Sequence, residues 1–90
     1  MRGFLIKSMY FVYVLKSLST GIHYTGQTDN LERRQQEHNA GSLGKFTKGK
    51  GPWQIVYQEQ YETREEAVRR EKYLKTGKGR EYLKNNIPEY

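Results

Sequence analysis

Two stretches of the chain carry reactive side chains at spacings that gather them on one helix face. In Leu31-Glu-Arg-Arg-Gln-Gln-Glu-His-Asn-Ala40 the one large apolar residue is Leu31. At about 100° per residue, Arg34, Gln35 and His38 share its face. The face due to meet the rest of the protein thus carries a guanidinium and an imidazole one turn apart. A guanidinium presents a fork of donors that suits phosphate, and an imidazole exchanges protons near neutral pH. The purely structural alternative lays Arg34 along a core edge with its head in water and leaves His38 hydrogen-bonded at the surface. In the second stretch, Ala67, Val68 and Leu74 define an apolar stripe. Glu71 projects about 40° from Ala67, inside that stripe, and Lys75 about 80° from it. A carboxylate on a core-facing stripe is costly unless it is paired or holds a cation. A Glu71–Lys75 pair at i, i+4 would satisfy it, though such a pair serves equally well on an outer face.

Two tyrosines supply the other half of a candidate site. Tyr13 shares a strand face with Phe11 and Leu15, and Tyr24 stands near the end of a second strand beside Gly26, where the backbone can turn tightly. Taken singly, each reads first as core or edge packing, the usual place of a strand tyrosine.

The elements that must position these side chains follow from local patterns. Residues 9–16 are dense in β-branched and aromatic residues on both alternating faces, which suits a central strand. Residues 17–21 form a turn, and residues 22–26 a second strand, completing an antiparallel hairpin. Thr28 or Asp29 is placed to cap a helix, with Glu32 three residues after Asp29. That helix runs over about 30–40 and stops at Gly41. The glycine-rich stretch 41–52 is a loop, and residues 53–61 are a third strand. Thr63 opens a capping box with Glu66, and a helix follows to about Thr76, closed by Gly77. A short final helix spans 78–86, before Pro88. The order β-β-α-β-α(-α) predicts an α+β domain: a small, three-stranded, mainly antiparallel sheet flanked by helices. Residues 9–86 form this single domain, with a flexible N-terminal tail over 1–8 and a C-terminal tail over 87–90.

Composition narrows the function. Ninety residues fit one domain, and a chain this short buries only about 60–65% of its unfolded surface. The absence of cysteine removes disulfides, thiolate nucleophiles, zinc fingers and iron–sulfur clusters, and a reducing cytoplasm is the expected home. The run Phe4-Leu5-Ile6 is too short for a membrane span. Net charge is +6 at a pI near 9.6, and eight of the twelve aromatic residues are tyrosine. Between Arg69 and Lys84 seven basic residues face two acidic ones, and Lys45, Lys48 and Lys50 cluster in the glycine-rich stretch. Such clustering reads as a surface that tracks phosphates, so nucleic acid is the expected partner. Lys75 and Lys78 belong to this surface, as does the 45–50 loop, where Phe46 can stack on a base. Trp53 reads as core and His23 as a surface strand residue.

Together the residues resemble the GIY-YIG nuclease family, in particular its small single-domain members and the excinuclease N-terminal domain. Phe11-Val12-Tyr13 stands where the family's first tripeptide ends in tyrosine, and Tyr24-Thr25-Gly26 where the second lies. Arg34 follows Tyr24 by ten residues and His38 by fourteen; Glu71 matches the family's metal-binding glutamate. Phe11, Val12 and Thr25 depart from the family's motifs at packing positions and leave the reactive side chains in place.

The resemblance implies hydrolysis of a DNA phosphodiester, with a place in DNA repair, using one divalent ion, Mg²⁺ or Mn²⁺, held by Glu71. The chain's single aspartate, Asp29, is expected at a helix cap, so several converging acids of a two-metal site are not in prospect. Arg34 would stabilise charge on the phosphate. Tyr13 would activate the attacking water with His38 accepting its proton, and a nearby cation is expected to lower the Tyr13 pKa; Tyr24 would orient water or phosphate. The roles of the two tyrosines are exchangeable at this stage. One active site would nick one strand, and recognition would rest on DNA shape or on a protein partner or second copy. The alternative is a catalytically silent nucleic-acid-binding module of the same fold.

Overall fold

The computed structural model describes residues 9–41 and 47–90. The β-branched and aromatic run after Met9 forms β1 (Tyr10–Ser17). It lies between β2 (His23–Thr28) and β3 (Trp53–Tyr61) in a sheet of order β2-β1-β3, antiparallel throughout. Gly21, at φ 80°, turns the chain from β1 into β2. Side chains of β1 alternate between two cores. Val12 and Val14 pack with Ala67, Leu74, Leu83 and Ile87, while Tyr13 and Leu15 pack with Trp53. Residues 12–15 are accordingly at most 2% exposed, as two apolar faces require.

Helix α1 (Leu31–Ala40) covers the Tyr13 face; α2 (Arg64–Leu74) and α3 (Gly77–Asn86) cover the other. The result is the α+β order β-β-α-β-α-α that the sequence predicts. The cap of α1 differs from expectation. Asn30, in extended backbone, accepts the Arg33 N–H at 2.9 Å. Thr28 ends β2 instead, and the Asp29 carboxylate accepts from the Arg33 guanidinium at 3.0 Å. Gly41 closes the helix at φ 74°, as expected. Thr63 and Glu66 complete the capping box of α2.

The junction after α2 also differs. The helix ends at Leu74, and Gly77 opens α3 rather than closing α2. Thr76 caps the new helix by accepting the Gly79 N–H at 3.1 Å. A Cβ on Gly79 would collide with the Tyr73 carbonyl and Leu74 Cα, so this glycine lets α3 start hard against the end of α2. Residues 87–90, read as a tail, pack instead: Ile87 joins the core, the Glu89 carbonyl accepts from Lys16 Nζ at 2.9 Å, and the Tyr90 ring stacks on His23. The N-terminal tail over 1–8 lies outside the described residues.

Candidate active site

The site is assembled beside β2, an edge strand of the sheet. The register pairs Tyr13 with Gly26 and Leu15 with Tyr24. Gly26 is therefore not at a turn. It lies inside β2, and a Cβ there would come within 2.6 Å of Tyr13 Oη and 3.0 Å of Tyr24 Cε2. The missing side chain is the space that the Tyr13 phenol occupies.

Helix α1 brings His38 onto both tyrosines. Tyr13 Oη lies 3.0 Å from His38 Nε2, and the His38 and Tyr24 ring centroids are 4.8 Å apart. Tyr13 and His38 are each only 2% exposed. Burial pushes the Tyr13 pKa well above the usual tyrosine range, and the charges of Tyr24, Glu71 and Glu37 reinforce it. Arg34 acts in the opposite direction without prevailing, so the lowered Tyr13 pKa expected from a nearby cation is reversed in this structure. Burial likewise lowers the His38 pKa, with Arg34 adding to the effect. Both groups are neutral at pH 7, which makes Tyr13 the donor and Nε2 the acceptor, with the imidazole proton on Nδ1. His38 Nδ1 is buried and has no hydrogen-bond partner among the described residues.

Arg34 sits one turn before His38. Its Nε is 3.3 Å from a Glu37 carboxylate oxygen but makes no well-aligned hydrogen bond, and that nitrogen is buried. Glu71 occupies the α2 stripe between Ala67 and Leu74, with its side chain 21% exposed, and accepts from Lys75 Nζ at 2.6 Å. The i, i+4 pair anticipated from the sequence is present, and it sits on the apolar side. Arg34 and Glu71 both act electrostatically on the Tyr13 hydroxyl, from helices on opposite faces of the sheet. Among the described residues, no group of three or more His, Asp or Glu side chains gathers as a metal cage would. Glu71 offers a single carboxylate. That donor fits a hard divalent ion such as Mg²⁺, which takes one or two protein carboxylates and completes its shell with phosphate oxygens and water.

The remaining expected contact residues divide. Lys45 and Phe46 lie outside the described residues. Lys48 is exposed beside Gly41, and the Lys50 carbonyl accepts from Ser17 and Ser19 hydroxyls. Lys75 lines a cleft of about 480 Å³, whereas Lys78 is exposed in the first turn of α3 and does not. Trp53 is core, its indole N–H donating to the Thr47 carbonyl at 3.0 Å.

Two features escaped the sequence reading. Glu59 is a second inward-facing glutamate, held by Arg70 at 2.9 Å and by the Tyr57 and Tyr61 hydroxyls. Burial tends to raise its pKa, but these hydrogen bonds outweigh that and hold the carboxyl below its usual range. The cleft's His23, Arg80 and Tyr90 come from three distant segments, and only the packed C-terminal residues bring them together. No spacing pattern announces such a grouping.

Comparison with known proteins places the chain in a family. The GIY-YIG catalytic domain matches residues 9–85. The chain is 46% identical over 67 residues to the UPF0213 protein of Clostridium perfringens (strain 13 / Type A), covering 74% of this chain and 71% of that one. It is 45% identical over 67 residues to the UPF0213 protein of Staphylococcus aureus (strain N315), covering 74% and 80%. The solution NMR structure of the UPF0213 protein from Bacillus halodurans superposes with a TM-score of 0.52 at 33% identity, over 86% of this chain and 83% of that one. With residues 9–85 matched by the catalytic-domain family and relatives 45–46% identical over 74% of its length, the chain belongs to the GIY-YIG family.

Proposed function

We propose that the protein is a metal-dependent endonuclease that hydrolyses a DNA phosphodiester and nicks one strand, choosing its substrate by shape rather than sequence. The observation that carries this reading is the buried Tyr13–His38 hydrogen bond, with Arg34 and Glu71 both acting on the same hydroxyl. A buried phenol needs some acceptor; an imidazole in that place can also take its proton. Glu71 would hold one Mg²⁺ or Mn²⁺, which when bound would draw charge from the phosphate.

The chain's own residues then take these parts. Arg34, one turn before His38 on α1, would donate from its guanidinium to a non-bridging phosphate oxygen. Tyr13 is neutral, so it acts as a relay rather than as a standing phenolate. It takes a proton from the attacking water as its own proton passes to His38 Nε2. The new water–phosphorus bond would form as the bond to the leaving oxygen breaks; that oxygen keeps the bonding electrons and takes a proton from solvent, and His38 is left as imidazolium until it releases its own. Tyr24, against the His38 ring, orients water or phosphate. The Lys48, Lys50, Lys75 and Lys78 side chains attract the strand, and a partner protein or second copy would supply further selection. The cysteine-free composition suits a cytoplasmic setting.

One observation favours the alternative of a silent binding module: Lys75 already satisfies Glu71, as a purely structural pair would. A nicking assay on supercoiled and branched DNA with Mg²⁺ or Mn²⁺ separates the two. Wild-type protein is expected to nick, and Glu71→Ala to bind the same DNA without nicking. Equal behaviour of the two proteins would sink the enzyme reading.

A further inference from the structure

The cleft beside the active site has the chemistry of a nucleotide pocket. It lies between β2, the α2–α3 junction and the packed C-terminal residues, and it encloses about 480 Å³, within the range of small-molecule sites. Its wall includes His23, Tyr24, Lys75, Arg80 and Tyr90; Glu71 is not part of the wall but holds the Lys75 ammonium at 2.6 Å, so Arg80 is the cation with its charge to spare. Tyr24 also contacts His38, so the cleft opens directly beside the candidate reaction centre. Arg33, Arg34, Arg64 and Arg70 each face a carboxylate. The Arg80 guanidinium has no acceptor among the described residues, although it lines a cavity. The same lining holds a flat surface: the His23 and Tyr90 rings stack at 3.9 Å with 15° between their planes. His23 Nε2 is buried there without a partner among the described residues. Cations and stacked rings in one cleft match the two halves of a nucleotide, phosphate and base.

We propose that this cleft is a subsite for one nucleotide of the strand adjoining the cleaved phosphodiester, with its phosphate on Arg80 and Lys75 and its base against the Tyr90–His23 stack. The inference rests on the nuclease reading above and adds a substrate class to it. A base held against protein rings has left its own stack, so the preferred DNA has an unpaired nucleotide at that position, as at a branch, a flap or a single-stranded end.

The test uses the 5′-phosphorylated thymidine dinucleotide, titrated into the full chain in EDTA and followed by NMR. The His23 and Tyr90 ring protons and the Arg80 Nε–H are expected to shift together. Arg80→Ala, an exposed change with little bearing on folding, is expected to weaken binding about tenfold. Tyr90→Leu keeps an apolar side chain there and should weaken it by a similar factor. Inorganic phosphate should bind more weakly and be indifferent to Tyr90→Leu. Unmoved ring signals, an Arg80→Ala protein that binds like wild type, or inorganic phosphate binding as tightly as the dinucleotide would each overturn the subsite. Binding is read without metal, so the two readings fail separately. A chain that shifts with dinucleotide but never nicks DNA fails as a nuclease; one that nicks but shows no shifts fails here.

Discussion

The hydrogen bond between Tyr13 and His38 joins two groups that burial keeps neutral, and this sets what each can do. A tyrosine with a raised pKa is a poor standing base but a serviceable relay when a neutral imidazole waits behind it at 3.0 Å. The pair was legible in the sequence as residue types at the right positions. Its protonation was not, because the burial that raises one pKa and lowers the other depends on Trp53 and Leu15 packing around them. Tyr13→Phe keeps the ring and removes the relay. Nicking is expected to fall by about 10²- to 10⁴-fold with DNA affinity unchanged. Loss of the donor also leaves both imidazole nitrogens unpartnered, at a cost of about 1–3 kcal/mol in stability. Single-turnover rates beside a urea titration check both; a Tyr13→Phe protein that cuts at the wild-type rate would remove Tyr13 from the chemistry.

At the scale of elements, the site exists because β2 is an edge strand with no Cβ at Gly26. The hairpin, the third strand and the capping box of α2 were all readable from alternation, turn residues and cap spacing. The true role of Gly26 was not, since it requires the register that sets it opposite Tyr13. The α1 cap moved to Asn30 for a comparable reason. Thr28 is drawn into the sheet and Asp29 into an ion pair, and neither commitment is visible locally. Gly26→Ala is expected to push the phenol away from His38, because its methyl group would come within 2.6 Å of Tyr13 Oη. Nicking should drop by about 10²-fold, the cost of misplacing a reacting group by roughly 1 Å, and the Tyr13 ring signals should move in NMR spectra; unmoved signals would contradict this account. Helix α2 offers a second test. Lys75 holds one oxygen of Glu71 at 2.6 Å and adds a like charge beside any incoming cation. Lys75→Met is therefore expected to tighten Mn²⁺ binding in the absence of DNA by about tenfold, a modest effect because the ammonium is largely solvated. Calorimetric titration with Mn²⁺ measures it, and an unchanged affinity would show that the pair does not guard the carboxylate.

For the molecule as a whole, burial of titratable groups on both faces of a three-stranded sheet sets a window of stability. His23 and His38 lie on different elements, and burial lowers both pKa values, helped by Lys16 at His23 and by Arg34 at His38. Each stays neutral in the fold and takes up a proton on unfolding once the pH drops below the ordinary histidine value of about 6.5. Their contribution is fully present above that pH and is lost as the pH falls toward the lower folded values. At the other end, burial raises Tyr13, Tyr57 and Tyr61, the last to about 12, with Glu59 reinforcing the two on β3. These hydroxyls resist ionisation in the fold but ionise freely in the unfolded chain above about pH 10, so stability is lost as the pH rises past that point. The Glu59–Arg70–tyrosine cluster behind this alkaline limit was invisible in the sequence, because its members come from a strand and a helix that meet only in the fold. Thermal midpoints measured from pH 4 to 11 should therefore hold a plateau between about 7 and 10 and fall on either side. Replacing His38 by Gln should shallow the acid limb and leave the alkaline limb untouched. A midpoint that stays level from pH 7 to 5, or climbs above pH 10, would mean that these groups are not buried neutral as the structure has them.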